Sequence, residues 1–381
     1  MKAAMPTTDS PRVIVFGTYD TKASPRVQVL IDGLRAHDIT VIECNSPLGV
    51  NTAARVAMLK QPWRLPLLVW RLMKAWSQLI RKSRHMPHAD MVLVGHLGLF
   101  DIRLARWLFR QTPIALDYMI SGAGTAKDRG VQKGLKTRLI QWLDAAALKR
   151  SNIVIVDTEE HLDALPAKYK HKGLVVYVGA PSDWFSSVLT HPRLAVNTPL
   201  KAVFFGLFTP LQGTTVIADA LTKVTQPIEV TFVGGGQDEQ EVREIMQQAP
   251  KHVTLTWLSW VESAKLPEFV TSHDVCLGIF GTTEKAQNVV PNKNYQGAAV
   301  GCVVVTSDTP PQRRVLTDGA VFVPAGDATA LAAALDRLAT HPDEVQQYQQ
   351  AAFARAQAAF TPGKVITPLI DRIQRKDKET A

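Results

Sequence analysis

The sequence predicts an α/β protein made of two doubly wound domains that face each other across a cleft. Three observations favour this fold class. Short apolar runs rich in β-branched residues alternate with helical stretches, which is typical of parallel sheets covered by helices. The two halves repeat this alternation at similar length and are separated by a stretch without strong periodicity. The chain of 381 residues, 46% hydrophobic and 20% charged, is long enough for two globular domains.

The first half, residues 1–185, shows the alternation from its start. Residues 12–17 (RVIVFG) predict a strand, residues 27–34 a helix and residues 39–44 the next strand. Further strands are predicted at residues 90–95, 113–116, 152–156 and 174–178. The loop after Gly17 could contact a ligand, although it lacks the GxGxxG pattern of dinucleotide-binding loops.

Polar residues follow two of these strands. His96 comes directly after residues 90–95, and Asp117 and Tyr118 come at the end of the strand at residues 113–116. The carboxyl ends of parallel strands meet at one edge of a sheet, so these side chains are expected to line one cleft. His96 is equally compatible with an ordinary loop histidine.

A linker is predicted at residues 186–200, and residues 201–360 form the second domain. Its strands are predicted at residues 202–205, 229–233, 253–258, 275–280, 302–306 and 320–323. The loop after the first of these strands contains Gly206. Residues 361–381 predict a last helix and tail, which could pack back on the first domain.

The stretch at residues 274–306 concentrates polar groups between two strands. An apolar run ends at a glycine, a polar loop follows, and Pro291 stands where a first helical turn accepts it. A helix N-terminus beside strand ends favours an anion such as a diphosphate, although any strand–helix–strand unit has a polar loop. The candidate ligand-binding residues of this stretch are Gly281, Glu284, Lys285, Asn288, Asn292, Lys293 and Gln296.

Residues 60–84 predict a basic amphipathic helix without any acidic residue. Trp63, Trp70 and Trp76 recur at intervals of seven and six and are expected on roughly one side of it. Its basic residues include Arg71, Lys74, Arg81 and Lys82. Such a helix suits an anionic membrane surface, and a second basic stretch at residues 127–150 belongs to the same half. The alternative is a helix that packs on its own sheet with a solvated basic face.

Composition narrows the function classes. A net charge of +9 without a nucleic-acid-binding motif does not argue for nucleic acid. The three cysteines are far apart in or beside apolar runs and predict buried free thiols. No signal peptide and no membrane-spanning run is recognised, so a cytoplasmic protein is expected, with peripheral contact to the inner membrane face possible. No Asp-x-Asp pair or metal-ligand cluster is present in the sequence, so no metal is expected.

Several motifs occur together in a specific order. They are FGTYD at residues 16–20, HLGLFD at 96–101, IALDYMISGAGTAKDRG at 114–130, VFFGLFTPLQG at 203–213, VGGGQ at 233–237, WLSWV at 257–261 and LGIFGTTEKAQNVVPNKNYQGAAVG from residue 277, followed by PAGD. With these motifs the chain resembles bacterial family 4 glycosyltransferases of the GT-B fold over nearly its whole length. In that fold two Rossmann-like domains enclose the cleft.

The resemblance implies a retaining enzyme that transfers a sugar from a nucleotide-sugar donor, without a bound metal or other cofactor. The donor would lie against the second domain, and an acceptor, lipid-linked or saccharide, against the first. The resemblance also implies that Asp117 or Tyr118 faces the sugar, with His96 as a further catalytic candidate. Gly17 and Gly206 would belong to the donor-binding loops.

Two departures from the family pattern concern the donor. Many members carry an Arg and a Lys in the loop after the first strand of the second domain, where this sequence has Leu207 and Gln212. Where many members carry a Glu against the ribose, this sequence has Gln296, whose carboxamide can still bind hydroxyls. The phosphate contacts are therefore expected from Lys285 and Lys293.

Two other functions remain open at this point. A nucleotide-sugar epimerase shares the GT-B fold, although it usually has more acidic and histidine groups in the cleft. A catalytically inactive nucleotide-sugar-binding or scaffold protein would explain the missing Arg and Lys. A turnover assay separates the inactive protein from both enzymes, and the identity of the product separates the enzymes.

Overall fold

The computed structural model describes residues 10–20, 25–48, 65–95, 98–119, 135–190 and 199–380. The first domain contains a six-stranded parallel sheet in the order β2-β1-β3-β4-β5-β6. Its elements in chain order are β1 (Arg12–Gly17), α1 (Pro25–Ala36), β2 (Thr40–Asn45), α2 (Leu65–Ser83), β3 (Met91–Val94), α3 (Asp101–Leu108), β4 (Ile114–Asp117), α4 (Leu135–Arg150), β5 (Ile153–Val156), α5 (Glu159–Asp163), α6 (Ala167–Lys170), β6 (Gly173–Val175) and α7 (Ser182–Thr190).

The second domain contains another six-stranded parallel sheet, in the order β12-β11-β10-β7-β8-β9. Its elements in chain order are β7 (Leu200–Phe208), α8 (Thr214–Leu221), β8 (Ile228–Gly236), α9 (Glu239–Met246), β9 (Val253–Leu258), α10 (Leu266–Thr271), β10 (Val275–Leu277), α11 (Glu284–Gln287), α12 (Asn292–Ala299), β11 (Val303–Ser307), α13 (Pro310–Leu316), β12 (Ala320–Val323), α14 (Ala328–Thr340), α15 (Pro342–Ala359) and α16 (Pro362–Thr380).

The predicted fold class is confirmed, and the reason lies in the strands. The central strands β3, β4, β5, β10 and β11 are buried along their whole length. Their runs of Val, Ile and Leu are continuous rather than alternating, as expected for parallel strands covered by helices on both faces. The strand order reverses between β1 and β3 and between β7 and β10. Ligands bind at such switch points, outside the carboxyl ends of the strands.

The C-terminal helix α16 packs on the first domain. Val365, Ile366 and Leu369 share an apolar cluster with Leu30 and Leu34 of α1. The chain thus returns to the first domain after it completes the second, and the two domains are joined by two crossings.

The predicted linker contains a helix that the sequence analysis missed. Helix α7 occupies Ser182–Thr190 and so extends into the predicted linker at residues 186–200. It forms because Trp184 is buried against the second domain, stacked on Phe205 with ring centroids 5.8 Å apart. The linker proper is therefore shorter than predicted.

Helices α2, α3 and α4 contact one another in that order and cover one face of the first sheet. Helix α2 starts at Leu65, so Trp63 lies outside the described residues. The prediction that the tryptophans share one side is wrong for the described pair: Trp70 is exposed, whereas Trp76 packs inward and its Nε1 donates to Asp101 Oδ1 at 2.9 Å. Six residues turn a helix through 600°, which leaves the two side chains about 120° apart.

The three cysteines are buried free thiols, as predicted. Among the described residues, no helix is long and apolar enough to cross a membrane. No group of three or more His, Cys, Asp or Glu residues in that same part of the chain could hold a metal ion.

Candidate functional site

The switch point of the second sheet brings together residues that are far apart in sequence. Gly206 lies near the carboxyl end of β7, and Gly281 follows β10, the neighbouring strand. A Cβ built on Gly206 would lie 3.5 Å from the Nζ atom of Lys293, which comes from helix α12. The φ of Gly206 is +138°, a backbone conformation that other residues rarely adopt. The lysine head group therefore lies against the bare backbone of this glycine.

Lys293 is a buried lysine that has no carboxylate partner in the part of the chain that the structure describes. It is 4% exposed, its Nζ donates to Gln212 Oε1 at 2.6 Å, and its Nζ lies 3.5 Å from the ring centroid of Phe204. Burial lowers the pKa of Lys293 from 10.5 to about 7, because desolvation disfavours the charged form. A buried lysine without an acidic partner at a switch point indicates a site for an anionic ligand.

The loop that presents Gln212 is held tightly against Gly281. Gly213 has a φ of +64°, and a Cβ there would lie 2.5 Å from the backbone nitrogen of Gly281. The carbonyl of Gln212 accepts a hydrogen bond of 3.0 Å from the backbone N–H of Phe280. These contacts bring Gly206, Gln212, Gly281 and Lys293 into one cluster, four of the predicted donor-binding residues.

Helix α12 is fixed by a buried polar network that the sequence analysis missed. Asn294 Nδ2 donates to Gln312 Oε1 at 2.6 Å, and Thr306 Oγ1 donates to the same oxygen at 2.5 Å. Asn292 begins the helix and is half-buried, and Gln296 is buried one turn after Lys293. The sequence alone could not reveal this pair, because Asn294 and Gln312 belong to different helices, α12 and α13. Their contact can be recognised only once the strand order is known.

The short helix α11 carries the remaining predicted residues of this stretch. Thr283 caps it by accepting a hydrogen bond from the N–H of Ala286 at 3.2 Å. Glu284 is exposed, whereas Lys285 and Asn288 are half-buried. The helix ends beside the first domain, because the carbonyl of Asn288, directly after it, accepts a hydrogen bond from Thr158 of that domain.

The two domains touch at the cleft through polar groups. Thr158 Oγ1, at the end of β5, donates to the carbonyl of Asn288 at 2.9 Å. Arg314 of α13 donates to Glu159 at 2.8 Å and to Glu160 at 2.9 Å, both in α5. The guanidinium contributes to a lowered pKa of Glu160 against the opposing effect of burial. None of these interdomain contacts was predicted.

His161 is a further group at this seam. Its Nδ1 lies 2.6 Å from Asp157 Oδ1. Burial lowers the pKa of His161, but the hydrogen bond and the charge of Asp157 outweigh it and the net pKa is raised; Lys285 acts in the lowering direction. The backbone N–H of His161 donates to Thr158 Oγ1 at 3.2 Å, and the same hydroxyl donates to the carbonyl of Asn288 just after α11, so this histidine and α11 lie near each other across the cleft.

The predicted catalytic candidates of the first domain have different surroundings. Asp117 is buried and its Oδ1 accepts from Arg26 Nε at 3.3 Å; its Oδ2 has no hydrogen-bond partner among the described residues. Arg26 Nη2 also donates to the carbonyl of Val176 at 2.9 Å. Tyr118 is half-buried, and His96 lies outside the described residues. An ion pair to Arg26, absent from the sequence reading, thus holds Asp117.

The loop after Gly17 is closed by Asp101. Its Oδ2 accepts from the backbone N–H and the Oγ1 of Thr18, both at 2.8 Å. A Cβ on Gly17 would lie 3.1 Å from the same oxygen. Asp101, the last residue of the HLGLFD motif, therefore shapes the loop. Leu207, at the place where the family has a cation, is half exposed and offers no charge.

Comparisons with known proteins agree with this architecture. Residues 218–371 match the family described as Glycosyl transferase-like. The phosphatidyl-myo-inositol mannosyltransferase of Mycobacterium leprae (strain TN) is 34% identical over 152 residues, which are 38% of this chain. The match spans 37% of that relative's length.

Solved structures align over nearly the whole chain. HepE of Anabaena in complex with UDP-glucose covers 96% of this chain and 99% of its own, with a TM-score of 0.63 and 13% identity. Sucrose-phosphate synthase of Thermosynechococcus elongatus covers 98% and 100%, with a TM-score of 0.68 and 14% identity. The UDP-forming α,α-trehalose-phosphate synthase of Burkholderia vietnamiensis covers 96% and 97%, with a TM-score of 0.66 and 13% identity. At such identities the likeness shows the fold.

Two six-stranded parallel sheets that face each other define a GT-B protein. The family match shows that residues 218–371 are similar to glycosyltransferases, and the mannosyltransferase relative is similar to 38% of the chain.

Proposed function

We propose that this protein transfers a sugar from a nucleotide-sugar donor to a lipid-linked acceptor, with retention at the anomeric carbon, in bacterial cell-envelope or polysaccharide biosynthesis. The observation that carries the donor half is Lys293, which is buried beside Gly206 with no carboxylate partner among the described residues. The HepE structure holds UDP-glucose, which supports a nucleotide-sugar donor here.

Lys293 would meet the diphosphate of the donor. The ammonium needs an anion to compensate its burial, and departure of the sugar leaves additional negative charge on the diphosphate. Bare backbone at Gly206 allows close approach of such a ligand. The loop cation missing at Gln212 is thereby replaced by one from α12, because Lys293 Nζ reaches the Gln212 side chain.

Gln296 would hold the ribose, and Asp117, Tyr118 and His96 would line the sugar and acceptor side. Gln296 follows Lys293 by three residues and is buried on the same helix. Asp117 would act through its carboxylate oxygen that has no hydrogen bond among the described residues. Catalysis would proceed without a metal, because Lys293 and the N-terminus of α12 supply the positive charge.

The acceptor half is supported by the surface of the first domain. Leu67, Val69, Trp70 and Met73 of helix α2 are all exposed, on a helix without an acidic residue. The mannosyltransferase relative is named for a phospholipid acceptor, phosphatidyl-myo-inositol. We therefore place the protein at the inner face of the cytoplasmic membrane, as a peripheral protein.

A turnover assay tests the proposal. Nucleotide sugars with UDP, GDP and other bases are first screened by thermal shift, since a ligand that binds only the folded state raises Tm. The stabilising donor is then incubated with a lipid extract, and the product is isolated. A glycolipid whose anomeric configuration matches the donor supports the proposal. An epimerised nucleotide sugar as the product would indicate an epimerase, and stabilisation without any product would indicate a binding protein.

A further inference from the structure

A strongly basic cleft lies in the first domain, outside the cleft between the domains. Its volume is about 780 Å³. Of the described residues, no Asp or Glu lines it, and five cationic side chains do: Arg106, Lys149, Arg150, Lys168 and Lys172. Five like charges in one cleft repel one another, and an anionic ligand would relieve that repulsion.

The position of the cleft separates it from the donor site. Arg106 lies near the end of α3, before β4; Lys149 and Arg150 end α4, before β5; Lys168 and Lys172 precede β6. These residues all precede their strands, so the cleft lies at the amino edge of the parallel sheet. The donor residues and the interdomain contacts follow their strands, at the carboxyl edge.

Two of the five cations, Arg106 and Lys172, are hydrogen-bonded to backbone carbonyls of the protein itself. Arg106 donates to the carbonyl of Arg150 through Nε at 3.1 Å and through Nη2 at 2.8 Å. Lys172 Nζ donates to the carbonyls of Ser151 at 2.7 Å and Leu148 at 3.2 Å. They satisfy the carbonyls at the C-terminus of α4, where the helix dipole is negative. These two bonds offset the negative end of the helix dipole beside the cleft.

The other three cations are available to a ligand. Arg150 uses only Nη1 within the described protein, donating to the carbonyl of Ala146 at 2.9 Å. Lys149 and Lys168 are exposed and form no ion pair with a described carboxylate. The Lys168 Nζ lies 4.8 Å from the ring centroid of Tyr169, which lines the cleft.

An aromatic side chain, Trp142, also lines the cleft, and a further cation lies over it. Trp142 is 58% exposed, lines the cleft, and is covered by the Arg103 guanidinium 4.4 Å from a ring centroid. A flat apolar wall beside lysines and an arginine suits a phosphate group carried on an organic moiety better than a bare ion.

We propose that this cleft binds a phosphate-bearing ligand, held by Lys149, Arg150 and Lys168, at a site separate from the donor site. The phosphate could be carried by a soluble molecule or by a lipid headgroup, because both present the same oxygens to the cations. The two sources are separated by experiment.

The test measures protection of individual lysines in the full-length protein. Each lysine is acetylated for a limited time, and its modification is quantified by mass spectrometry, with inorganic pyrophosphate, with phosphatidylcholine vesicles, or with phosphatidylcholine–phosphatidylglycerol vesicles. Modification of Lys149 and Lys168 should fall about fivefold when a phosphate occupies the cleft. Lys251 and Lys265, exposed in the second domain, are internal controls.

Protection by pyrophosphate supports a soluble phosphate ligand, and protection only by the anionic vesicles supports a headgroup. The proposal is overturned if neither treatment protects Lys149 and Lys168 more than the two control lysines. Donor binding by Lys293 does not enter this readout, so each site can fail separately.

A matched pair of variants tests the same cations by affinity. Lys149→Gln/Lys168→Gln should weaken the phosphate interaction seen in the first experiment by roughly tenfold or more. Lys251→Gln/Lys265→Gln removes the same charge and should leave it within about twofold. Equal weakening by both pairs of substitutions would show that only the net charge of the protein matters, and it would contradict a specific phosphate site in the cleft. An unchanged Tm shows that both proteins remain folded.

Discussion

Lys293→Met should stabilise the empty protein at neutral pH and at the same time weaken donor binding. Lys293 is 4% exposed, and burial lowers its pKa from 10.5 to about 7. At about 1.4 kcal/mol for each pKa unit, the fold opposes the charged lysine by on the order of 5 kcal/mol. Methionine keeps much of the length and apolar volume of the stem and removes the charge.

The sign follows from proton binding. Between pH 7 and about 10 the unfolded lysine is protonated while the folded one is largely neutral, so the unfolded chain binds more protons. The free energy of unfolding of the wild type should therefore rise with pH across this window and fall as the pH drops towards 7. Lys293→Met should lose this rise, which denaturant unfolding at both ends of the window measures. Lys251→Met, at an exposed lysine of the same domain, is the control.

Donor binding should reverse the shift, because a diphosphate stabilises the ammonium. At pH 8 a lysine with a pKa of about 7 is mostly neutral, so binding should take up about 0.9 proton. Calorimetry in buffers of different ionisation enthalpy measures this uptake. Lys293→Met should abolish it and weaken the donor roughly 30- to 150-fold, or about 2–3 kcal/mol. A folded variant that binds within about threefold of wild type, or a wild type without proton uptake, would refute the reasoning.

Three further predictions concern the ribose, the metal and the membrane. Gln296→Ala should raise the apparent Kd of the donor several-fold, which corresponds to about 1 kcal/mol for a neutral hydrogen bond. Gln296→Glu should be tolerated. Loss of nucleotide binding in the Glu variant would instead place this residue at a phosphate. Turnover should persist in excess chelator, and complete loss restored by magnesium or manganese would rule out the metal-independent mechanism. Trp70→Ser/Met73→Ser should reduce co-sedimentation with anionic vesicles at low salt. The control Trp260→Ser, at a more exposed tryptophan of the second domain, should not. Equal binding of the wild type and both variants would contradict a membrane contact through α2.

The sequence by itself determined the fold class and most of the strands. Continuous apolar runs of β-branched residues indicate strands buried on both faces, and their alternation with helical stretches favours a parallel sheet between helices. The same local signals located residues 274–306 as a strand, polar loop and helix, because a glycine, a proline and a change of period mark each boundary. They also placed Lys293 and Gln296 on one helix. Helix and strand boundaries of this kind can be predicted from the sequence because they depend on residues that are neighbours along the chain.

Long-range pairing was decided by the tertiary structure alone. The ion pair of Arg26 with Asp117, the seam of Arg314 with Glu159, and the hydrogen bond from Trp76 to Asp101 join residues separated by 25 to 155 positions.

The same limit applies to helix α7, whose C-terminal half falls in the predicted linker, because its burial comes from another domain. The basic cleft was missed because its cations come from three separate segments. Hydrophobic periodicity reports which side of an element is buried, but not which element covers it. That choice is made only when the domains pack, and it decides which charges become buried, paired or left facing a ligand.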